Sequence, residues 1–282
     1  MEPDGRIAEL PDADAPLRYR VWSSTERPAR ATVVLLNGIM SHSGWFAPLA
    51  PSLVAAGMHV VGADRRGSGP NPSGRGDAVS AAALIDDCKA IIAAEHDPAR
   101  MLVLVGWCWG AILAVHVAAS MPASGPGALD RLVLVTPGML PSEEVRTRAA
   151  AHAKAAVGRP DDEPCVPTPI REELFTEGPA LEGFIRRDPD RLLAITPRFA
   201  ALSGKLSALA LARLPRLTVP TLLVLAEHDG ATDNLATTAA FERLAPERRH
   251  LVTLPTRHGV SFEAPAALAE AITRFAFPES RP

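Results

Sequence analysis

The stretch "LVGWCWGAIL", residues 104–113, places one cysteine between two tryptophans and sets this trio between two glycines. Apolar residues precede and follow it, a pattern typical of a strand buried on both faces, a tight turn and a buried helix. Residues 101–121 contain no Lys, Arg, Asp or Glu and are long enough to span a membrane, but Gly106 and Gly110 interrupt them. We therefore predict a strand–turn–helix unit with Cys108 at the turn, and no membrane span.

Cys108 admits two interpretations, a buried hydrophobe or a nucleophile presented by the turn. A sharp strand-to-helix turn strains the backbone of its central residue, and small residues two positions to either side permit it. Gly106 and Gly110 occupy those positions. The start of a helix also carries a partial positive charge that favours a thiolate. A packing role would leave both glycines unexplained, so we predict that Cys108 is a nucleophile.

The composition of the chain is ordinary for a soluble globular protein. Its 282 residues suffice for one large domain, or for one domain with an insertion. The net charge of −3 gives no electrostatic reason to expect nucleic acid or an anionic membrane as partner. Three cysteines without framework spacing argue against a disulfide scaffold. "MEPDGRIAEL" (1–10) shows no signal-peptide pattern, so we expect a cytoplasmic location.

Short aliphatic runs alternate with helix-length segments along most of the chain. Continuous runs such as 31–36 and 58–63 are typical of parallel strands covered on both faces, whereas the alternating run 17–22 suggests an edge strand. Helices are expected in five segments: 46–57, 78–96, 110–120, 235–245 and 265–277. The predicted architecture is an open, mostly parallel α/β sheet.

Residues 140–218 break this alternation because they are rich in proline and charge and contain no strand-like run. Helices are expected within 171–178 and 188–212. We predict a helical lid over residues 140–218, inserted between the sixth and seventh strand runs above the carboxyl ends of the strands. The remaining segments, 1–139 and 219–282, would then form the core.

Reactive groups in open α/β sheets collect where the strands end. Five strand ends in this chain carry unusual polar motifs: "NGIMSHSGW" (37–45), "DRRGSG" (64–69), "GWCWG" (106–110), "EHDGATD" (227–233) and "PTRHG" (255–259). We therefore expect these five loops to surround one site.

On these motifs the chain resembles the α/β-hydrolase superfamily, in its lidded branch, over residues 15–278. "GWCWG" matches the Gly-x-nucleophile-x-Gly elbow, with Cys108 where most members carry serine. "DRRGSG" is similar to an Asp-x-Arg-Gly-x-Gly turn that many members share, and "HGVSFEAP" (258–265) is similar to the histidine loop before the last helix. The resemblance implies an enzyme with a nucleophile–His–acid triad.

His258 is the predicted base, because it follows a strand run and precedes Gly259 on a loop. Asp229 stands where the family keeps its acid, which would hold the imidazole in the right tautomer. Asp233 is the competing acid. The chain order nucleophile, acid, histidine agrees with the superfamily.

Two backbone N–H groups, those of Ile39 and Trp109, are expected to form the oxyanion hole. Asn37 stands where the family usually has histidine, a departure that keeps the backbone donor. An apolar or acyl-binding pocket is suggested by tryptophans near the elbow. Substrate-binding roles are predicted for four residues: Asn37, His42, Trp45 and Trp107.

A cysteine nucleophile restricts the substrates that the site would process. Attack on an ordinary ester tends to collapse backwards because a thiolate leaves more readily than an alkoxide, whereas attack on a thioester is balanced. We therefore predict an acyl-transfer enzyme, either a thioesterase or esterase-like hydrolase or an acyltransferase. Its small-molecule substrate would be a thioester, activated ester or lactone of specialised metabolism, with a carrier protein or CoA as an optional carrier.

Two alternatives remain open on the same residues. One is a lyase that eliminates an acyloxy group such as acetate, and the other is a ligand-binding protein without turnover. No His, Cys or carboxylate cluster has ligand spacing, so no metal is expected. No nucleotide fingerprint occurs, and no cofactor is predicted.

Overall fold

The computed structural model describes residues 5–11, 16–23, 28–125 and 127–278. The predicted domain limits at residues 1 and 282, and the first four residues of the stretch 1–10, lie outside these ranges. Eight strands form the main sheet: β1 (Arg6–Leu10), β2 (Leu17–Trp22), β3 (Ala31–Leu36), β4 (Met58–Ala63), β5 (Met101–Trp107), β6 (Arg131–Val135), β9 (Thr221–Ala226) and β10 (Arg249–Leu254). Two short strands, β7 (Val166–Pro167) and β8 (Ala194–Ile195), pair separately.

The strand order in the main sheet is β1-β2-β4-β3-β5-β6-β9-β10. β2 runs antiparallel to both β1 and β4, and the pairs from β4 to β10 are parallel. This arrangement confirms the predicted open, mostly parallel sheet. The predicted edge position of β2 is wrong, because β1 pairs with its outer side from Arg6 opposite Val21 to Leu10 opposite Leu17.

Nine α-helices occur in the described residues: α1 (Ala50–Ala55), α2 (Ala81–Glu95), α3 (Trp109–Ser120), α4 (Glu143–Ala155), α5 (Pro179–Arg187), α6 (Pro197–Arg213), α7 (Asn234–Phe241), α8 (Val260–Glu263) and α9 (Pro265–Ala276). The five predicted helices of the core are confirmed, with ends that differ by up to four residues. β3 and β9 are buried along their whole length, as their continuous apolar runs require when helices cover both faces.

The segment from residue 140 to 218 lies between β6 and β9 and contains α4, α5 and α6 with the β7–β8 pair. The helix expected within 171–178 is wrong, since only Glu172–Leu174 form a short 3₁₀ turn. The helix expected within 188–212 begins at Pro197, because proline is favoured in the first turn and Thr196 caps the N–H of Phe199. The sequence analysis missed α4, α5 and the short strand pair.

Helix α6 joins this segment to the helix that follows the Cys108 turn. The indole Nε1 of Trp109 donates to Ser203 Oγ at 3.1 Å. One turn further along α6, the Leu206 carbonyl accepts a hydrogen bond from His116 Nε2 at 2.9 Å. Among the residues that the structure describes, no helix combines the length and apolar character needed to cross a membrane.

Candidate active site

Cys108 stands between the end of β5 and the first residue of α3, with a φ of +55°. Thr136 is the other non-glycine residue with positive φ in the described part of the chain. A Cβ at position 106 would lie 2.5 Å from the Ala111 Cα, and one at position 110 would lie 2.1 Å from the Leu36 carbonyl oxygen. Both glycines are therefore required for the close approach of α3 to the sheet.

The structure brings His258 and Asp229 together in a buried pair behind this turn. His258 Nδ1 lies 3.0 Å from each oxygen of the Asp229 carboxylate. The Asp229 carboxylate also accepts the N–H groups of Ala231 and Thr232, at 2.8 and 3.0 Å. Asp233, the competing acid, instead caps α7 by accepting the N–H of Ala236 at 2.9 Å. Asp229 is thus the acid that contacts the imidazole.

Electrostatics favour the charged form of both partners. Burial by itself would lower the pKa of His258, but the Asp229 carboxylate and the neighbouring Cys108 raise it to about 10. Burial would likewise raise the pKa of Asp229, but the charge and hydrogen bond of His258 hold it below its ordinary value. Nε2 of His258 has no hydrogen-bond partner of normal geometry among the described residues. It is therefore available to exchange a proton with Cys108.

Two backbone amides beside Cys108 have no acceptor within the described protein. The N–H of Trp109 is the first of α3 and has no partner inside the helix. The N–H of Ile39 is likewise without an acceptor among the described residues. A Cβ at Gly38 would lie 3.7 Å from Cys108 Sγ, so the loop that carries Ile39 passes directly by the sulfur. The geometry suits an oxyanion hole.

A cavity of about 630 Å³ opens from Cys108 and His258 into the space beneath the 140–218 segment. Ile39 and Trp109 lie at its base. Small apolar side chains from the inserted helices form its walls: Val145, Ala149 and Ala153 on α4, and Ala200 and Ala201 on α6. This space suits a molecule with an apolar chain attached to a reactive group.

The structure does not bring the four predicted substrate-binding side chains to this cavity. Trp107 is the last residue of β5, and its Nε1 donates to the His258 carbonyl at 3.0 Å. Trp45 packs against Trp107 with ring centroids 6.0 Å apart. Asn37 donates to the carbonyls of Gly38 and Ser41. Asn37, Trp45 and Trp107 therefore bond and pack next to the site without lining the cavity.

His42 contacts the inserted segment instead of the cavity. Its Nε2 lies 2.9 Å from Asp188 Oδ2, at the end of α5, and Trp45 Nε1 donates to the same carboxylate oxygen. Burial would lower the pKa of His42, but the hydrogen bond to Asp188 and the nearby carboxylates raise it. The pKa of Asp188 is lowered, because the bonds from His42 and Trp45 outweigh its burial. This ion pair fastens α5 to the loop after β3.

One cluster in the described ranges has donor atoms close enough to hold a metal ion, formed by His42, Asp188 and Asp190. His42 and Asp188 already bond each other, and Asp188 also accepts from Trp45. The ligand atoms of His42 and Asp188 are therefore already engaged.

Arg65 was missed by the sequence analysis. It is buried beside Ile39 and donates to the carbonyls of that loop. Gly138 was also missed, although its N–H donates to the Cys108 carbonyl at 2.9 Å. The sequence analysis assigned Arg65 no role within the motif "DRRGSG", and its neighbour Arg66 pairs with Asp87.

The sheet order and the helix connections place the chain in the α/β-hydrolase fold class. Within that class, it belongs to the serine aminopeptidase S33 family, whose model matches residues 27–265. The chain is 26% identical over 260 residues to the monoacylglycerol lipase of Mycolicibacterium smegmatis, covering 88% of this chain and 87% of that protein.

Two solved structures show the same fold. One is a soluble variant of monoglyceride lipase from Saccharomyces cerevisiae in complex with a substrate analog, with a TM-score of 0.85 and 13% identity over 100% of this chain and 97% of that one. The other is the monoacylglycerol lipase of Paleococcus ferrophilus, with a TM-score of 0.76 and 21% identity over 92% and 99%.

Proposed function

We propose that this chain hydrolyses acyl esters or thioesters through a covalent acyl-thioenzyme. Cys108 is the nucleophile, His258 the base and Asp229 the acid that orients it. The observation that carries the proposal is the φ of +55° at Cys108. Such a conformation costs a non-glycine residue roughly 1–3 kcal/mol, and strain of this kind clusters at functional sites.

The proposed reaction proceeds in two steps. Transfer of the thiol proton from Cys108 to His258 Nε2 forms a thiolate–imidazolium pair. Cys108 Sγ then attacks the acyl carbonyl carbon while the carbonyl oxygen gains charge beside the Ile39 and Trp109 N–H groups. When the intermediate collapses, the bond to the leaving alkoxide or thiolate breaks, and His258 gives that group the proton. A water molecule then attacks the acyl carbon, His258 takes its proton, and the C–S bond breaks to release the acid.

The cavity supports a substrate with an apolar acyl chain. Its walls between α4 and α6 carry mainly short aliphatic side chains, and the relative from Mycolicibacterium smegmatis is a monoacylglycerol lipase. Residues 140–218 are proposed to act as the lid of this cavity, because they supply most of its lining and leave Cys108 at its base. An acyl chain would enter beneath them.

The cysteine favours leaving groups that depart readily. A thiolate is expelled from the tetrahedral intermediate more easily than an alkoxide, so thioesters and activated esters are the substrates proposed to turn over fastest. Cys108→Ser restores the nucleophile that most superfamily members carry. It is expected to shift preference from the octanoyl thioester toward the matching oxygen ester, because an alkoxide nucleophile removes the thiolate's advantage as leaving group.

Intact-protein mass spectrometry tests the covalent step. The wild type, Cys108→Ala and His258→Ala would each be incubated with p-nitrophenyl octanoate and with an octanoyl thioester. The expected result is a mass gain equal to one octanoyl group in the wild type, its absence in Cys108→Ala, and a strongly slowed gain in His258→Ala.

Cys165→Ala serves as the matched control, because it removes a free thiol that does not line the cavity while leaving Cys108 in place. It should acylate like the wild type. If folded wild type neither gained octanoyl mass nor released octanoic acid while Cys108 still reacted with iodoacetamide, the proposal would fail. Elimination of an acyloxy group, or binding without turnover, would then be the remaining interpretations.

A further inference from the structure

The guanidinium of Arg65 lies directly behind the loop that carries the Ile39 amide. Its Nη1 donates to the carbonyl of Gly38 at 2.9 Å and to that of Asn37 at 3.3 Å, and its Nη2 donates to the carbonyl of Ile39 at 2.8 Å. One buried side chain therefore binds three successive carbonyls. A planar guanidinium can do this because its N–H groups form a fixed fork.

One of these bonds concerns the proposed oxyanion hole directly. The carbonyl of Gly38 and the N–H of Ile39 belong to the same peptide group, and they point in opposite directions. A cation bonded to the carbonyl oxygen draws electron density toward that end of the peptide. The N–H at the other end becomes a stronger donor, since hydrogen bonds in a chain polarise one another.

The second amide of the proposed hole has a related support. The carbonyl of Cys108 and the N–H of Trp109 share one peptide group, and this carbonyl accepts from the N–H groups of Gly138 at 2.9 Å and Ala111 at 3.1 Å. The guanidinium carbon of Arg65 also lies 4.8 Å from the ring centroid of Trp109. Arg65 thus touches both segments that carry the two amides.

The charge on Arg65 persists at neutral pH. Burial lowers its pKa to about 10, while Asp64 and Cys108 act in the opposite direction. The family turn that "DRRGSG" resembles fixes an arginine at the position of Arg66, and Arg66 pairs with Asp87 on α2. Arg65 and Arg66 therefore have separate hydrogen-bond partners.

We propose that Arg65 is a positioning residue that fixes and polarises the oxyanion hole. It acts through the Gly38–Ile39 peptide and through the ring of Trp109, without touching the substrate. The proposal rests on the covalent mechanism proposed above. Because it concerns charge that develops on the substrate oxygen, removing Arg65 should slow acylation and leave binding of the acyl chain unchanged.

Two inhibitors separate an effect on the developing oxyanion from an effect on binding of the acyl chain. Octanal adds to the Cys108 thiol, so that Sγ bonds to the aldehyde carbon, the thiol proton passes to His258, and the new oxygen lies in the hole. Octanol occupies the same apolar cavity but forms no covalent adduct with Cys108, so it places no charged adduct oxygen in the hole. Arg65→Met should weaken inhibition by octanal roughly ten- to a hundredfold, less than the loss of a whole oxyanion donor, and leave inhibition by octanol unchanged.

The same loss is expected in kcat for p-nitrophenyl octanoate, with KM nearly unchanged. Arg65→Lys should lose part of the effect, because a single ammonium cannot span three carbonyls. Arg66→Met is the matched control, since it removes the neighbouring cation and its contact with Asp87, and it should keep the octanal-to-octanol ratio of the wild type. Should Arg65→Met not fold, the ratio in Arg65→Lys decides.

The outcomes distinguish this inference from the mechanism on which it rests. If Cys108→Ala bound octanal as tightly as the wild type, the covalent mechanism itself would be wrong. If octanal binding depended on Cys108 but the Arg65 variants kept the wild-type ratio, the mechanism would stand and the role of Arg65 would be overturned.

Discussion

His258 is more basic in the folded protein than in the unfolded chain. Its pKa rises from an ordinary value of 6.5 to about 10, against the effect of burial, because of Asp229 and Cys108. A group that binds its proton more tightly when folded adds stability wherever that proton is bound. This contribution is complete below about pH 6.5 and is lost as the pH rises toward 10.

The first prediction follows from this linkage. The free energy of unfolding of the wild type should exceed that of His258→Gln by an amount that shrinks as the pH is raised from 6.5 to 10. Urea unfolding at several pH values in this range measures the difference. Asp229→Asn should reduce this pH dependence of stability, because it removes the carboxylate charge that raises the pKa of His258. A difference that stayed constant over the range would contradict the assignment.

A second prediction concerns the glycine after the turn. Gly110→Ala should destabilise the protein by roughly 3 kcal/mol, because its Cβ would lie 2.1 Å from the Leu36 carbonyl oxygen. Gly204→Ala on α6 is the control, since nothing lies within 4 Å of its Cβ. It should stabilise the protein by about 0.5–1 kcal/mol through helix propensity. Thermal and urea unfolding of both variants check the opposite signs.

At the scale of the secondary-structure elements, the core was predictable and the insertion was not. Continuous apolar runs identify β3, β5 and β9, because strands buried on both faces need such runs. β1 was missed since its sequence, "RIAEL", is short and two of its five residues are charged. The helix α4 was missed because it packs only a narrow face and carries polar residues elsewhere.

The candidate site likewise contains residues that local sequence motifs predict and contacts that they do not predict. Cys108, Asp229 and His258 stand in motifs at strand ends, where the local sequence carries the signal. The contacts of Arg65 with the 37–39 loop join residues 26 to 28 positions apart, and those of Asp188 with His42 join residues 146 apart. No local pattern encodes such pairs, so they required the fold.

The ion pair between α5 and the loop after β3 gives a third prediction. Asp188→Asn should lower the free energy of unfolding by about 2 kcal/mol, since it weakens the buried bonds from His42 and Trp45. Hydrogen exchange should quicken in residues 179–195 and remain slow in α3. Asp190→Asn, an exposed neighbour, should change neither quantity. Equal exchange in both variants would show that the pair does not hold α5.

At the scale of the whole molecule, the cavity exists only because two parts of the chain meet. Residues outside 140–218 supply the proposed reactive groups and the base of the cavity, and the segment 140–218 supplies its apolar walls. The reaction at Cys108 and the preferred length of the acyl chain are therefore expected to vary independently. A change in a wall residue should alter which acyl chain fits without altering the reaction.

The fourth prediction tests this separation. Ala149→Phe places a ring in the cavity from α4, so KM for p-nitrophenyl octanoate should rise about tenfold or more while turnover of the acetate ester stays within about twofold. Ala150→Phe is the matched control, because Ala150 is exposed on the same helix and does not line the cavity. A parallel loss for both esters would mean that the substitution damages the fold.

The indole of Trp107 packs against the imidazole of His258, with ring centroids 6.2 Å apart. A protonated imidazole at this distance quenches indole fluorescence more strongly than a neutral one. The protein therefore contains its own optical reporter of the proton that the proposed reaction moves. Rapid-mixing fluorescence should follow each proton transfer in real time, with no dye or label attached to the chain.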